Sequence, residues 1–176
     1  MSRSLLVALL LSLVAPLAVA EVAPAPEAVA EPPKALLAQV ERLTELLRDG
    51  YAQGYADATL CQILTVDEYQ QLALAVFTIE GFGGGNNHRQ YFAAFRVDVD
   101  ASQPPYYSLL DVIAIGGKGW RGVEELNATL DVEPERMLIR FGALEVTDQD
   151  APNFPSKKTV VTLVLEDGQL HEQPTP

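Results

Sequence analysis

This chain has little of what most enzymatic chemistry requires. One cysteine, Cys61, stands among 176 residues, so no internal disulfide can form. Two histidines, His88 and His171, are too few and too isolated for a zinc site. The sequence contains neither a Gly-x-Ser-x-Gly elbow nor a His-Glu-x-x-His motif, the usual marks of a serine hydrolase or a zinc protease. Cys61 and His88 could in principle pair as nucleophile and base. However, Cys61 has no Lys, Arg or His beside it in sequence to lower its pKa. The expectation is therefore no catalytic residue, no metal and no cofactor. For Cys61 itself, the plain reading is a small buried hydrophobe beside Leu60, Ile63 and Leu64; the alternative is an intermolecular disulfide or a reactive thiol.

Bases are also scarce. Twelve Lys and Arg face 24 Asp and Glu, for a net charge of −12. Such a surface repels phosphate backbones and anionic lipid headgroups, which excludes general nucleic-acid or membrane-surface binding. It promotes solubility and leaves room for a basic partner or a cation. Asp98-Val99-Asp100 and Asp148-Gln149-Asp150 space carboxylates as calcium loops do. Neither continues as an EF-hand loop, so both are read as solvated turn acids. Asn127-Ala128-Thr129 fits the glycosylation triplet, but it falls in a predicted strand and is discounted.

Only one long hydrophobic run is present, at 5–17. Arg3 precedes it, Pro16 interrupts its end, and Ala18-Val19-Ala20 follows as a small-x-small cleavage pattern. This is the order of a secretory signal peptide, and the run is short of the roughly 20 apolar residues a membrane span needs. The expected mature chain starts at Glu21 and works in the periplasm or outside the cell, with no membrane span after cleavage. Residues 21–33 are Ala, Pro, Glu and Val, and read as an extended linker. The remaining 34–173 is the size of one domain.

Within that domain, Leu36, Val40, Leu43 and Leu47 form one apolar stripe, widened by Leu37 and Leu46. With Pro32-Pro33 before and Gly50 after, the pattern predicts a helix over 34–49. A second short helix is expected at 51–61, and Thr65 is read as capping a turn that starts at Val66. Strands follow at 71–80, 90–99, 106–115, 123–130, 136–146 and 159–166. The first is apolar on both faces, as a central strand should be. Asp167-Gly168 is a strong hairpin turn. The fold class is thus α+β, an N-terminal amphipathic helix packed on an antiparallel meander of about six strands.

Two glycine-rich loops stand out. Residues 81–89 hold four glycines within five positions, then Asn86, Asn87, His88 and Arg89. A phosphate-cradling loop needs a helix after it, and here a strand follows. The segment is a sharp hairpin tip or a binding loop. Residues 116–122 hold the single tryptophan, Trp120, between Lys118 and Arg121. Gly117-Lys118 superficially suggests a P-loop, but Val112 and Gly119 stand where a glycine and a Ser or Thr belong. Trp and Arg are frequent interface anchors; the alternative is a tryptophan folded back on the core with solvated cations. In an up-and-down meander the two loops emerge at one end, where Arg89, Lys118 and Arg121 would gather positive charge.

The stretch 77–122 carries Gly83-Gly84-Gly85-Asn86-Asn87, Tyr91-Phe92-Ala93-Ala94-Phe95, Leu110-Asp111-Val112 and Gly116-Gly117-Lys118-Gly119-Trp120-Arg121. It resembles small uncharacterised exported proteins of Gram-negative bacteria, over about a quarter of the chain. The resemblance implies a compact periplasmic protein and no particular activity. The function expected from these readings is non-catalytic binding of an envelope protein or another cell-envelope component. The expected contacts are Asn86, Asn87, His88, Arg89, Lys118, Trp120 and Arg121. The alternatives are a small apolar-ligand carrier, with its pocket between sheet and helix, and last an enzyme.

Overall fold

The stripe at 36, 40, 43 and 47 does form a helix. The computed structural model describes residues 31–98 and 104–174, and in it α1 spans Lys34–Leu47. The expected leader at 1–20, the Ala/Pro-rich segment as far as residue 30, and the pair Val99 and Asp100 lie outside the described residues. Leu36, Val40 and Leu43 are buried. Leu46, expected to widen the stripe, instead projects into solvent, 80% exposed. At the far end, Asp49 Oδ1 accepts from the backbone N–H groups of Tyr51 and Ala52, both at 2.9 Å. That side chain turns the chain out of the helix.

Among the described residues ten strands follow, not six. They are β1 (Gln53–Gly54), β2 (Leu60–Thr65), β3 (Gln71–Glu80), β4 (His88–Asp98) and β5 (Tyr106–Gly117), then β6 (Arg121–Gly122), β7 (Thr129–Val132), β8 (Arg136–Glu145), β9 (Lys157–Glu166) and β10 (Gln169–Glu172). All pair antiparallel in one sheet, in the order β1-β3-β4-β5-β6-β8-β9-β10, with β2 also on β3 and β7 also on β8. The five long strands β3, β4, β5, β8 and β9 fall where the sequence places strands. The miscount comes from short strands, which span too few residues to show a period.

The expected short helix at 51–61 does not form. That segment is β1, one 3-10 turn at Ala56–Ala58, and the start of β2. Gly54 lies so close to α1 that a Cβ there would sit 2.5 Å from the Thr44 methyl. Pairing of Gln53 and Gly54 with Glu80 and Ile79 wins over local helix propensity. Thr65 caps no helix either. Val66 N–H bonds to the Gln70 carbonyl and Asp67 accepts from Tyr69 and Gln70, which makes a hairpin turn from β2 into β3.

Both faces of β3 and β4 are buried, and each face has its own core. On one side Ala73, Ala75, Phe77, Ile79, Tyr91, Ala93, Phe95 and Val97 meet Leu36, Val40 and Leu43 of α1. On the other, Leu72, Leu74, Val76, Phe92 and Ala94 meet Ile139, Phe141, Val161, Leu163 and Leu170. The second contact requires the sheet to curl, so that β8, β9 and β10 lie over β3 and β4. Leu170 N–H donates to Asp111 Oδ2 at 2.7 Å, tying β10 back to β5. Phe92 and Phe141 stack across this interior with ring centroids 5.2 Å apart.

The predicted strand at 123–130 is only partly one, since β7 begins at Thr129. Val123 and Ala128 are nevertheless buried. Their backbone groups bond to side chains instead of to a strand. Gln90 donates to the Val123 carbonyl and accepts from its N–H, at 3.1 and 2.7 Å. Gln62 does the same for Ala128, at 3.1 and 2.7 Å. Two glutamine amides thus replace a ladder, satisfying backbone groups that would otherwise be orphaned in the interior.

Candidate functional site

The two glycine-rich loops do meet at one end of the sheet. The first joins β3 to β4, and the second follows β5. Because β4 and β5 are neighbours, Arg89 pairs with Gly117 and Gln90 with Gly116. The approach is close: a Cβ on Gly117 would lie 2.7 Å from the His88 carbonyl. Lys118 N–H then bonds to that same carbonyl at 3.3 Å, and Lys118 Nζ donates to Asn86 Oδ1.

The first loop is held from below. Gly81 adopts a φ of +90°, a left-handed angle that glycine takes without a Cβ penalty. Its N–H bonds to the Asn87 carbonyl at 2.8 Å, closing the loop. Asp49 Oδ2 accepts from Gly83 N–H at 2.8 Å, so the turn after α1 braces the loop. This bond first, and then those from Tyr51 and Ala52, hold the Asp49 carboxyl below the usual carboxylate range.

The predicted site residues fall into two groups. Asn86, Asn87 and Arg89 are exposed and His88 and Lys118 half-buried, all on one surface. Arg89 lies over the Phe82 ring, 5.8 Å from its centroid. Arg121 takes a different place. Its side chain is buried, donating through Nε to the Ile115 carbonyl and through Nη1 and Nη2 to Glu172 at 2.7 and 2.5 Å. It also lies 4.6 Å from the Trp120 ring centroid. Arg121 therefore props Trp120 from inside, and the outward positive charge belongs to Arg89 and Lys118 alone. Trp120 itself remains 45% exposed, neither solvated freely nor folded into the core.

Other residues join this surface that sequence reasoning did not single out. A recess of about 340 Å³ has Tyr51, Tyr55, Glu80, Asn86, His88 and Asn153 on its walls. A second, of about 350 Å³, has Phe82, Asn87, His88, Arg89 and Lys118. His88 belongs to both. Asn153 arrives on the β8–β9 loop, which Gly119 N–H holds by a 2.7 Å bond to the Pro152 carbonyl. Beside it Phe154 is 73% exposed, and across the recess Tyr51 is 74% exposed. The available signal was aromatic residues inside turn sequences, Tyr51-Ala-Gln-Gly-Tyr55 and Pro152-Asn-Phe-Pro155. The first lies in the segment where the expected helix gives way to β1 and a 3-10 turn. A wider trough of about 1170 Å³ runs between α1 and the 52–57 segment, with Val40, Ala52 and Phe77 at its floor and the charged Glu41, Arg42 and Glu45 on its walls.

Cys61 is half-buried on β2, and burial pushes its thiol up to about 11. It is protonated at neutral pH and a poor nucleophile. Asp150 accepts from Thr147 N–H, Thr147 Oγ1 and Ser156 Oγ at 2.8 to 3.0 Å, knitting the β8–β9 loop together. Asp98 accepts from Arg96 and Ser108. Among the described residues no three His, Cys, Asp or Glu side chains converge as metal ligands would, and no helix is long and apolar enough to cross a membrane.

Comparison with known proteins finds no match to this chain among family models, curated proteins or solved structures.

Proposed function

We propose that this protein is a non-catalytic binding domain of the bacterial periplasm. It engages an envelope protein or another cell-envelope component through the end of the sheet where loops 81–89 and 116–122 meet. One observation carries the reading. Segments some thirty residues apart in sequence are bonded into one surface, Lys118 to Asn86, that presents two cations outward, with Arg89 lying over Phe82 within the first loop. Solvent-facing aromatic and Arg side chains in braced loops are typical of binding surfaces. Leu36, Val40 and Leu43 of α1 pack directly against Phe77, Tyr91 and Phe95, which favours a surface site over a carrier's pocket enclosed between helix and sheet. The protonated state of Cys61 likewise favours binding over nucleophilic catalysis.

The test is crosslinking of the full chain in the periplasm, comparing wild type with Arg89→Ala/Lys118→Ala. Arg121 is left intact, because removing it would leave Glu172 without its partner. One dominant crosslinked species, lost in the double variant, is the expected result. An unchanged crosslinking pattern in the variant retires this surface. For localisation, fractionation and N-terminal sequencing of the mature chain should find it periplasmic and starting at Glu21.

A further inference from the structure

The two recesses that share His88 differ in chemistry, and together they describe a ligand. The first sets the exposed Tyr51 and Tyr55 beside Asn86, Asn153 and Glu80. A pyranose ring has an apolar C–H face and a rim of hydroxyl groups. Tyrosine rings offer large flat apolar area for the face. Amide and carboxylate groups supply donors and acceptors in one plane, as adjacent hydroxyls require. Its volume of about 340 Å³ lies at the small end of ligand sites, which span roughly 300–1,000 Å³.

The second recess carries the charge. Arg48, Arg96, Arg121, Arg136 and Arg140 each hold a carboxylate. Among the described residues Arg89 and Lys118 do not, in a chain with twice as many acids as bases; Lys34, Arg42 and Lys158 also lack one, but Arg89 and Lys118 line one recess together. Lys118 is instead held by the Asn86 amide and Arg89 by the Phe82 face. Both cations are thus positioned by neutral groups, which leaves their charge uncompensated. A guanidinium beside an ammonium recognises a carboxylate or phosphate.

On the premise that this end of the sheet is the binding surface, we infer that its ligand is an anionic saccharide. The sugar ring lies on Tyr51 and Tyr55, and its acidic substituent reaches past His88 to Arg89 and Lys118. The ring recess supplies affinity common to neutral and acidic sugars. The cationic recess supplies the preference for acidic ones.

The test titrates the mature full-length protein with tetragalacturonate, the neutral cellotetraose and glucose 6-phosphate. Trp120 fluorescence and amide chemical shifts give the readout. Tetragalacturonate should saturate with an affinity at least about tenfold above cellotetraose. Tyr55→Ala should weaken both, and Tyr55→Phe should restore both. Arg89→Ala/Lys118→Ala should reduce tetragalacturonate to the level of cellotetraose. Stronger binding of glucose 6-phosphate, lost in the same variants, supports the inference with phosphate as the acidic group. No saturable binding of any probe, or tetragalacturonate binding indifferent to Arg89 and Lys118, overturns it. If the probes fail while the periplasmic crosslink is still lost in Arg89→Ala/Lys118→Ala, the surface stands and only the saccharide chemistry falls. Failure of both removes the surface as well.

Discussion

Gln90 and Asp49 lie outside every motif, yet each does work that the two loops depend on. Gln90 sits two positions after His88 and holds both backbone groups of Val123. Gln90→Ala leaves a buried N–H and a buried C=O without partners. The expected loss is about 2 kcal/mol, read as a lower urea midpoint at unchanged slope. Asp49 braces the glycine loop only as a carboxylate. Its folded pKa is depressed, so its contribution is present above the ordinary carboxyl value of about 4 and is lost as pH falls through the lower folded value. Asp49→Asn should therefore be less stable than wild type at neutral pH. The gap should close as the solution is acidified through the carboxylate range. Denaturation at both pH values checks this, and a gap that stays constant would show that the charge is irrelevant.

At the scale of elements, α1 illustrates how a helix is selected by what it covers. It has no side-chain N-cap, and 14 residues are marginal for an isolated helix. Its stability comes from Leu36, Val40 and Leu43 against β3 and β4. Leu43→Ala should cost about 3 kcal/mol, the middle of the range for a buried Leu. Leu46→Ala should change stability by no more than about 0.5 kcal/mol, because that side chain faces water. Thermal melts of the two variants separate the stripe from its apparent extension. The long strands were legible for a related reason. The two-sided apolar run of β3, the alternation of β4 and the Asp167-Gly168 turn with φ of +51° and +76° are local signals that tertiary context reinforced.

For the whole molecule, the two cores lie on opposite faces of the same two strands. Neither can be lost without stripping β3 and β4 of half their burial. Helix content by circular dichroism reports the α1 side. Trp120 fluorescence reports the loop end, tied to β8 through the 2.9 Å bond of Val146 N–H to the Trp120 carbonyl. The two signals should follow one denaturation curve. Separated midpoints would mean that α1 detaches from a sheet that survives alone. The acidic composition bears on this scale too. The chain has twice as many acids as bases, and Arg89 and Lys118 gather positive charge at one recess of this predominantly acidic molecule.

Sequence by itself determined the elements whose cause is local. These are the helix at the 36-40-43-47 stripe, the five long strands, the Asp-Gly hairpin, and the glycine-rich character of the two loops. Periodicity and turn chemistry act over a few residues, and no distant contact is needed to read them. Tertiary structure decided everything set by partners far along the chain. It made β1 and β2 from a segment with a helical look, because β3 offered them a free edge. It left 123–128 extended without a strand, because Gln62 and Gln90 took the ladder's place. It turned Arg121 inward, because Glu172 of β10 lies beneath it, and it brought Tyr51, Tyr55 and Asn153 up to the glycine loops. The sheet's curl sets these meetings, and residues fifty or more positions apart carry no local mark of the partner they will find.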